Sequence, residues 1–492
     1  MQPANIRVFC SNNQRASPLS HSGLNPTEKR ATLTLASLYS LRMLGLFMIL
    51  PVFSLYAADL EGVTPLLIGI AIGIYGLTQA LLQIPFGLWS DRIGRKPVII
   101  TGLAIFAVGS VVAATADSIV MVIVGRAIQG AGAIAAAIMA LAADVTREEQ
   151  RSKIMATIGI SIGFAFVLSM ILGPILNQWV GVPGIFWITA LLALLGMVLV
   201  QLGLPKTVAL RSHRDAGTRP SDISSLLKDG QLLRIDLSIF TLHFLLTACF
   251  VALPLMLRDG AGLEAAQHPW VYGPVLIIAM LLMVPFVIIA ESRRKMKLVL
   301  LTAIMGIAVG LFIMALLPTS LWGIITGLFI FFLAFNVLEA TLPSLIAKEA
   351  PADKKGTAMG VYSSAQFLGA FAGGLLGGWV MGQWGASAVF MVAAVLTVFW
   401  LLVMFSLRSP RYFSSRMIRV GVLSDRAAAE LNERLLAVTG VKEAVVIVDD
   451  EVAYLKVDKD TLDEAALAMF RVEQSSLESA ASTVASPVSV AR

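Results

Sequence analysis

The chain has 492 residues, 57% of them hydrophobic and only 14% charged, with a mean hydropathy of +0.83. Water-soluble domains carry roughly 25% charged residues, so most of this chain is not built to face water. The net charge of +6 lies between apolar runs, which suits membrane orientation rather than nucleic acid. The two isolated cysteines, Cys10 and Cys249, exclude a disulfide framework and thiolate metal or redox chemistry.

Residues 1–30 are polar and rich in Ser, Asn and Pro, without the apolar stretch and cleavage site of a signal peptide. They read as a disordered cytoplasmic extension or as the product of an upstream start codon. Twelve apolar runs follow, at about 34–57, 65–89, 97–115, 118–142, 153–176, 183–204, 234–257, 270–290, 298–317, 320–346, 357–381 and 385–407. Each approaches the roughly 20 residues that span a bilayer as a helix, the conformation that satisfies its backbone internally. The alternating pattern of a membrane barrel is absent. The polar loop 205–233 separates a six-span half, 31–204, from a second, 234–407.

Lys and Arg sort strongly between the loops. One side holds 23 of them and the other only Arg258. By the positive-inside rule both termini of this multi-pass protein are expected to be cytoplasmic. The halves are also related. PFGLWSDRIGRK (85–96) is echoed by PFVIIAESRRKMK (285–297), and ADVTREEQRSKIMA (143–156) by AKEAPADKKGTAMG (347–360). A repeat of about 200 residues is expected of a duplicated transporter.

After a linker, 408–415, residues 416–475 become soluble in character. The order is strand, helix N-capped by Ser424, a strand pair joined through Asp449 and Asp450, and a second helix. That order predicts a small ferredoxin-like α+β domain, closed by a strand near 471–475. Residues 476–492 read as a disordered tail.

The loop GLWSDRIGRK resembles motif A of the major facilitator superfamily (MFS), G-x-x-x-D-R-x-G-R-K, at Gly87, Asp91, Arg92, Gly94, Arg95 and Lys96. LGLFMILPV (44–52) is similar to a span 1 pattern of the family's drug–proton antiporters, and RAIQGAGA (126–133) to motif B on span 4. The motif C match on span 5 is limited to Gly173 and Pro174. SLRMLGLFM, IAIGIYGLTQA and KGTAMGVYSSAQFLG resemble the YajR-like subgroup, whose members carry a ferredoxin-like YAM domain after span 12. The resemblance implies an MFS fold of twelve transmembrane helices in 6+6 pseudo-symmetric halves, all-α apart from that domain. It also implies a conformational latch in which Asp91 faces the N-terminus of helix 11 near Gly356 and Thr357, and Arg95 bridges Asp91 to Asp144.

Charges inside the spans are the coupling candidates: Arg42, Arg126, His243 and Glu339. A charge at the bilayer centre costs about 2.5–3.5 kcal/mol on insertion scales, so each needs a partner or a cavity. Glu339 is the acid best suited to carry a proton, and an imidazole changes charge near neutral pH. The resemblance links Arg126 to proton coupling. Tyr75, Gln79 and Gln83 recur every four residues and share one helix face. With Asn336, Tyr362 and Gln366 they either line a substrate cavity or bond neighbouring helices together. No pair of arginines of the kind that holds a phosphate stands out.

The expected function is proton-coupled efflux of small amphipathic compounds by alternating access. A substrate-specific importer or symporter, or a membrane sensor signalling through the C-terminal domain, are the alternatives. No nucleophile–base set, metal site or cofactor motif points to an enzyme. The expected partners are the lipid bilayer, a small-molecule substrate and protons; the oligomeric state is open, with a monomer compatible.

Overall fold

The computed structural model describes residues 25–146, 148–204, 220–351, 354–409, 414–421, 424–448, 452–458 and 461–470. The first 24 residues, most of the middle loop, the closing strand near 471–475 and the tail lie outside them.

The first half is built from α1 (Pro26–Phe47), a short α2 (Phe53–Tyr56), α3 (Pro65–Ile93), α4 (Arg95–Ala114), α5 (Ile119–Ala131), α6 (Ala135–Asp144) and α7 (Glu148–Gly203). A short α8 (Pro220–Leu226) leads to the second half: α9 (Gly230–Leu255), α10 (Pro269–Glu291), α11 (Met296–Leu316), α12 (Leu321–Glu349), α13 (Lys355–Trp384) and α14 (Ala386–Phe405). Ten helices among the described residues are long and apolar enough to cross a membrane, counting Ile119–Asp144 as one. One of them, Lys153–Gly203, contains two passes. Gly181 adopts φ 66°, a conformation glycine takes at no steric cost, and the helix reverses there. Before the turn, Ser161 and Ser169 hydrogen-bond Ala36 and Leu44 of α1; after it, Thr189 bonds Gly45 and Gly203 packs on Thr34. The two arms therefore run in opposite directions along α1. Counting both arms gives eleven apolar passes, and α1, which packs along both arms, is the less apolar helix at the position of the first expected span.

The fourth span is not the continuous helix that its apolar run predicts. It breaks at Gly132–Ile134, between α5 and α6. A Cβ at Gly130 would strike the Tyr75 carbonyl, and one at Gly132 the Gly102 carbonyl. The small residues thus let α3 and α4 approach closely.

The charged turns gather at one end of the bundle, here called the loop end. Lys96 donates to the Leu204 carbonyl (3.1 Å), Arg30 to Leu202 (2.6 Å), Arg234 to Ser406 (2.8 Å) and Lys297 to Phe405 (2.9 Å). The two halves meet mainly towards the opposite end. There α3 lies against α13 through glycines: a Cβ on Gly69 or Gly76 would strike the carbonyl of Gly374 or Phe367. The other side of α13 is also glycine-faced, with Gly369 and Gly373 against the Phe240 and Phe244 carbonyls of α9. Among the described residues, hydrogen bonds cross between the halves from Ser54 to Phe250, Gln178 to Ala266 and, nearer mid-helix, Ser364 to Ala80. Along the first arm of α7, Cβ atoms on Gly159 and Gly163 would meet open space.

The C-terminal domain forms β1 (Ser414–Arg419), α15 (Asp425–Leu436), β2 (Val441–Ile447), β3 (Val452–Val457) and α16 (Glu464–Ala468). Among the described residues the antiparallel sheet has the order β1-β3-β2, the order these three strands take in a ferredoxin-like arrangement. Ser424 caps α15 as expected. Lys456 is buried; it pairs with Glu443 (3.3 Å) and reaches the Glu349 carbonyl at the end of α12 (3.4 Å).

Candidate functional site

Three polar clusters contain the residues singled out by the sequence. The first is the turn at the loop end. Gly94 takes φ 103° and ψ 153°, a backbone that only glycine adopts readily, and lets α4 start directly after α3. Arg95, 7% exposed, donates Nε to Asp144 Oδ2 (3.0 Å) and Nη1 to Ser90 Oγ (2.8 Å) and to Asp91. The Asp144 side chain is buried and that of Asp91 is 38% exposed. Arg95 thus stands between the two carboxylates, as the resemblance implies. Gly87 sits beside Ala136 of α6 without strain, and Arg92 is exposed in the last turn of α3. Gly356 and Thr357 occupy the first turn of α13. No described hydrogen bond joins Asp91 to them; its described partner is Arg95.

The second cluster lies inside the first half. Arg42 of α1 is 2% exposed and donates from Nη2 to Tyr75 Oη (2.7 Å), Gln79 Oε1 (2.7 Å) and the Gly132 carbonyl at the helix break (3.2 Å). Gln79 passes its amide on to Gln83 (2.8 Å). The shared face of Tyr75, Gln79 and Gln83 is therefore real, and all three are buried. Arg126 lies on the other side of Tyr75, 5.3 Å from its ring centroid. It donates to Gln129 (3.0 Å) and to the Ala71 and Ile72 carbonyls (3.3 Å each). Two arginines, 84 positions apart in the sequence, thus flank one tyrosine. Neither has a described carboxylate partner.

The third cluster lies in the second half. His243 of α9 donates Nδ1–H to the Ile239 carbonyl (3.3 Å), which leaves Nε2 to accept from Gln366 of α13 (2.8 Å). That tautomer follows from the hydrogen-bond pattern. The Gln366 amide also approaches Glu339 of α12 (3.4 Å), and Glu339 Oε2 stands 3.8 Å from His243 Nε2 with no hydrogen bond of its own. Asn336 lies one turn before Glu339, and Tyr362 one turn before Gln366; the Asn336 Nδ2 and the Tyr362 hydroxyl are buried without partners. Sequence reasoning missed Asp236. This carboxyl is buried two turns before His243 on α9, has Oδ1 unbonded, and lies within electrostatic reach of Tyr362. The sequence offered a signal, an acid near the start of the apolar run 234–257.

The second and third clusters are neighbours. Phe367, next to Gln366, packs edge-on to Tyr75 at 6.3 Å. Phe166 of the first half packs against Phe332 and Phe335 of the second (6.0 and 6.3 Å), and Phe335 lies 5.9 Å from the His243 ring. An aromatic seam with basic groups on one side and acidic groups on the other runs between the halves.

Two bundles of long apolar helices with polar groups buried between them form the architecture of a membrane transporter. A Major Facilitator Superfamily profile matches residues 35–374, and a YajR YAM domain profile matches residues 422–467; the chain belongs to the Major Facilitator Superfamily. It is 47% identical over 452 residues to the inner membrane transport protein YajR of Escherichia coli, covering 92% of this chain and 98% of that protein. It is 34% identical over 352 residues to an uncharacterized transporter of Buchnera aphidicola, covering 71% and 90%. Among solved structures, a bacterial homologue of the human lysosomal transporter Spinster, in an inward-facing and occupied conformation, shares the fold. Its TM-score is 0.64 at 14% identity, covering 78% of this chain and 97% of that one.

Proposed function

We propose that this protein is a proton-coupled exporter of small amphipathic compounds in a bacterial inner membrane, working by alternating access with both termini in the cytoplasm. The observation that carries the reading is the His243–Gln366–Glu339 cluster. As drawn by its hydrogen bonds, His243 is neutral and accepts from Gln366. A proton arriving at Nε2 turns that acceptor into a donor. The Gln366 amide must then release it, and Glu339 Oε2, 3.8 Å away, becomes the natural acceptor. Protonation therefore exchanges a link between α9 and α13 for one between α9 and α12. Asp236 and Tyr362 extend the same polar tract. The Phe-rich seam beside it suits an apolar or aromatic solute.

The motif A turn acts as the latch. With the loop end cytoplasmic, the halves here are joined at the periplasmic end, and Asp91 is turned onto Arg95. In the opposite state Asp91 meets the N-terminus of α13 at Gly356 and Thr357, where a carboxylate gains about 0.3–1 kcal/mol from the helix dipole at an exposed site.

Purified protein in liposomes, given an imposed pH gradient and a fluorescent amphipathic dye, tests the reading. Gradient-driven dye movement in wild type, lost in Glu339→Gln and His243→Ala, is the expected result. Movement that persists without a gradient, or survives both substitutions, overturns it.

A further inference from the structure

The first half holds a positively charged site with no described acid to match it. Arg42 uses one nitrogen, Nη2, for its three hydrogen bonds; Nε and Nη1 are buried and have no acceptor. A guanidinium carries five N–H donors and cannot shed its charge to escape burial. The buried acids of this half, Glu28 and Asp144, both sit at the loop end: Glu28 in the capping box of α1, Asp144 on Arg95. A second observation points the same way. The Gly132 carbonyl that Arg42 touches belongs to the break in the fourth span, and α6 starts just beyond it. Its N-cap residue, Ile134, offers no side-chain hydrogen bond to the first turn. A helix N-terminus carries partial positive charge and unpaired N–H groups, and discontinuous helices inside a transporter bundle are where substrate groups bind. Arg42 and the start of α6 therefore present two sources of positive potential at one place, beside an aromatic seam.

We infer that Arg42, with the N-terminus of α6, binds an anionic group, a carboxylate, on the transported molecule. The inference deepens the transport reading and rests on it for the word "transported", while the binding step stands alone. The substrate class is then an aromatic or aliphatic monocarboxylate. Its charged end lies against α1 and α6. Its apolar body lies along Phe166, Phe332 and Phe367. Its arrival leaves the titrating groups of the second half for the proton. Tyr75 and Gln79 hold the guanidinium in place, and Phe367, packed on Tyr75, closes the site while the halves are joined at the far end.

The test is equilibrium dialysis on purified full-length protein, with no pH gradient, using three compounds of one shape: 1-naphthoate, 1-naphthalenemethanol and 1-naphthylmethylammonium. The expected result is that wild type binds naphthoate at least tenfold more tightly than either of the others. Arg42→Gln should remove that preference, and Arg42→Lys should keep part of it. Equal or tighter binding of the neutral or cationic compound to wild type, no naphthoate binding at all, or a preference unchanged in Arg42→Gln overturns the inference. The comparison of the three compounds on wild type needs no variant to fold. Anion-selective binding without gradient-driven transport would sink the exporter reading and leave this one standing; transport of a dye with no carboxylate preference would do the reverse.

Discussion

The turn after α3 and its repeat after α10 solve the same problem with opposite charges. In the first half Arg95 is shared between Asp91 and Asp144. In the second, Glu291 stands where Asp91 does, but Lys348, at the position of Asp144, pairs with it, and Ser344 adds a hydrogen bond of 2.6 Å. The backbone differs in the same way. Gly94 takes φ 103°, and its counterpart Arg294 takes φ 54°, a left-handed conformation a side chain tolerates at a cost. Duplication has thus kept the turn and the acid but inverted the charge at the end of the fourth helix. A carboxylate whose cation is also held by a second, buried carboxylate is easier to draw away than one bound by both a lysine and a serine. This difference is what the proposed latch role of the first turn rests on.

The largest test of that asymmetry is Arg95→Ala against Lys348→Ala. Removing Arg95 breaks its pair with the buried Asp144 carboxylate and its bonds to Ser90 and Asp91, and breaking a buried pair costs about 3–5 kcal/mol. Lys348 and Glu291 are partly exposed, and their pair is worth about 0.2–1 kcal/mol. Equilibrium unfolding in detergent should separate the two variants clearly; equal losses would erase the distinction. Next comes the backbone. Gly94→Ala forces a side chain into a glycine-only region and should cost about 1–3 kcal/mol. Arg294→Gly relieves the left-handed strain of about 1–2 kcal/mol but adds the freedom of glycine to the unfolded chain, about 0.5–1 kcal/mol. It should therefore shift the unfolding midpoint little, and a large loss would show that the second turn is not a relaxed copy of the first.

Asp91→Asn should change stability by less than about 1 kcal/mol while raising loop-end labelling of a cysteine at Phe164 severalfold, in a background lacking Cys10 and Cys249. Glu291→Gln should leave the labelling unchanged. The same response from both would give the two turns the same role. The smallest effect is expected of Lys456→Ala. One long hydrogen bond to α12 should not set the stability of the membrane part, so limited proteolysis should release the C-terminal domain faster with no change in the unfolding of the rest.

Much of this was readable in the chain. The spans follow from apolar length, the Arg95 cluster from its motif, and the appended β-α-β-β-α order from alternation and the Ser424 cap. The break at Gly132–Ile134 was not readable, because glycines in an apolar helix cost only about 1 kcal/mol each relative to alanine and are tolerated there. It takes the neighbouring carbonyls of Tyr75 and Gly102 to explain their use. Arg42 was visible as a charge, and Tyr75, Gln79 and Gln83 as a face. Their meeting depends on two helices whose bonded residues lie 33 and 37 positions apart, a contact that no periodicity encodes. Asp236 was hidden because α9 begins at Gly230 rather than Arg234, which carries the acid inward.

The glycine seam between α3 and α13 has a thermal consequence. Where backbone meets backbone at Gly69, Gly73, Gly374 and Gly378, the seam itself holds few rotamers to freeze on closing or release on opening. Side-chain ordering at an ordinary helix contact costs up to about 1.5–2 kcal/mol for a long residue, and nothing for glycine. The population of this closed state should therefore drift less with temperature than that of a gate closed by interlocking side chains, and warming alone should not be what opens it.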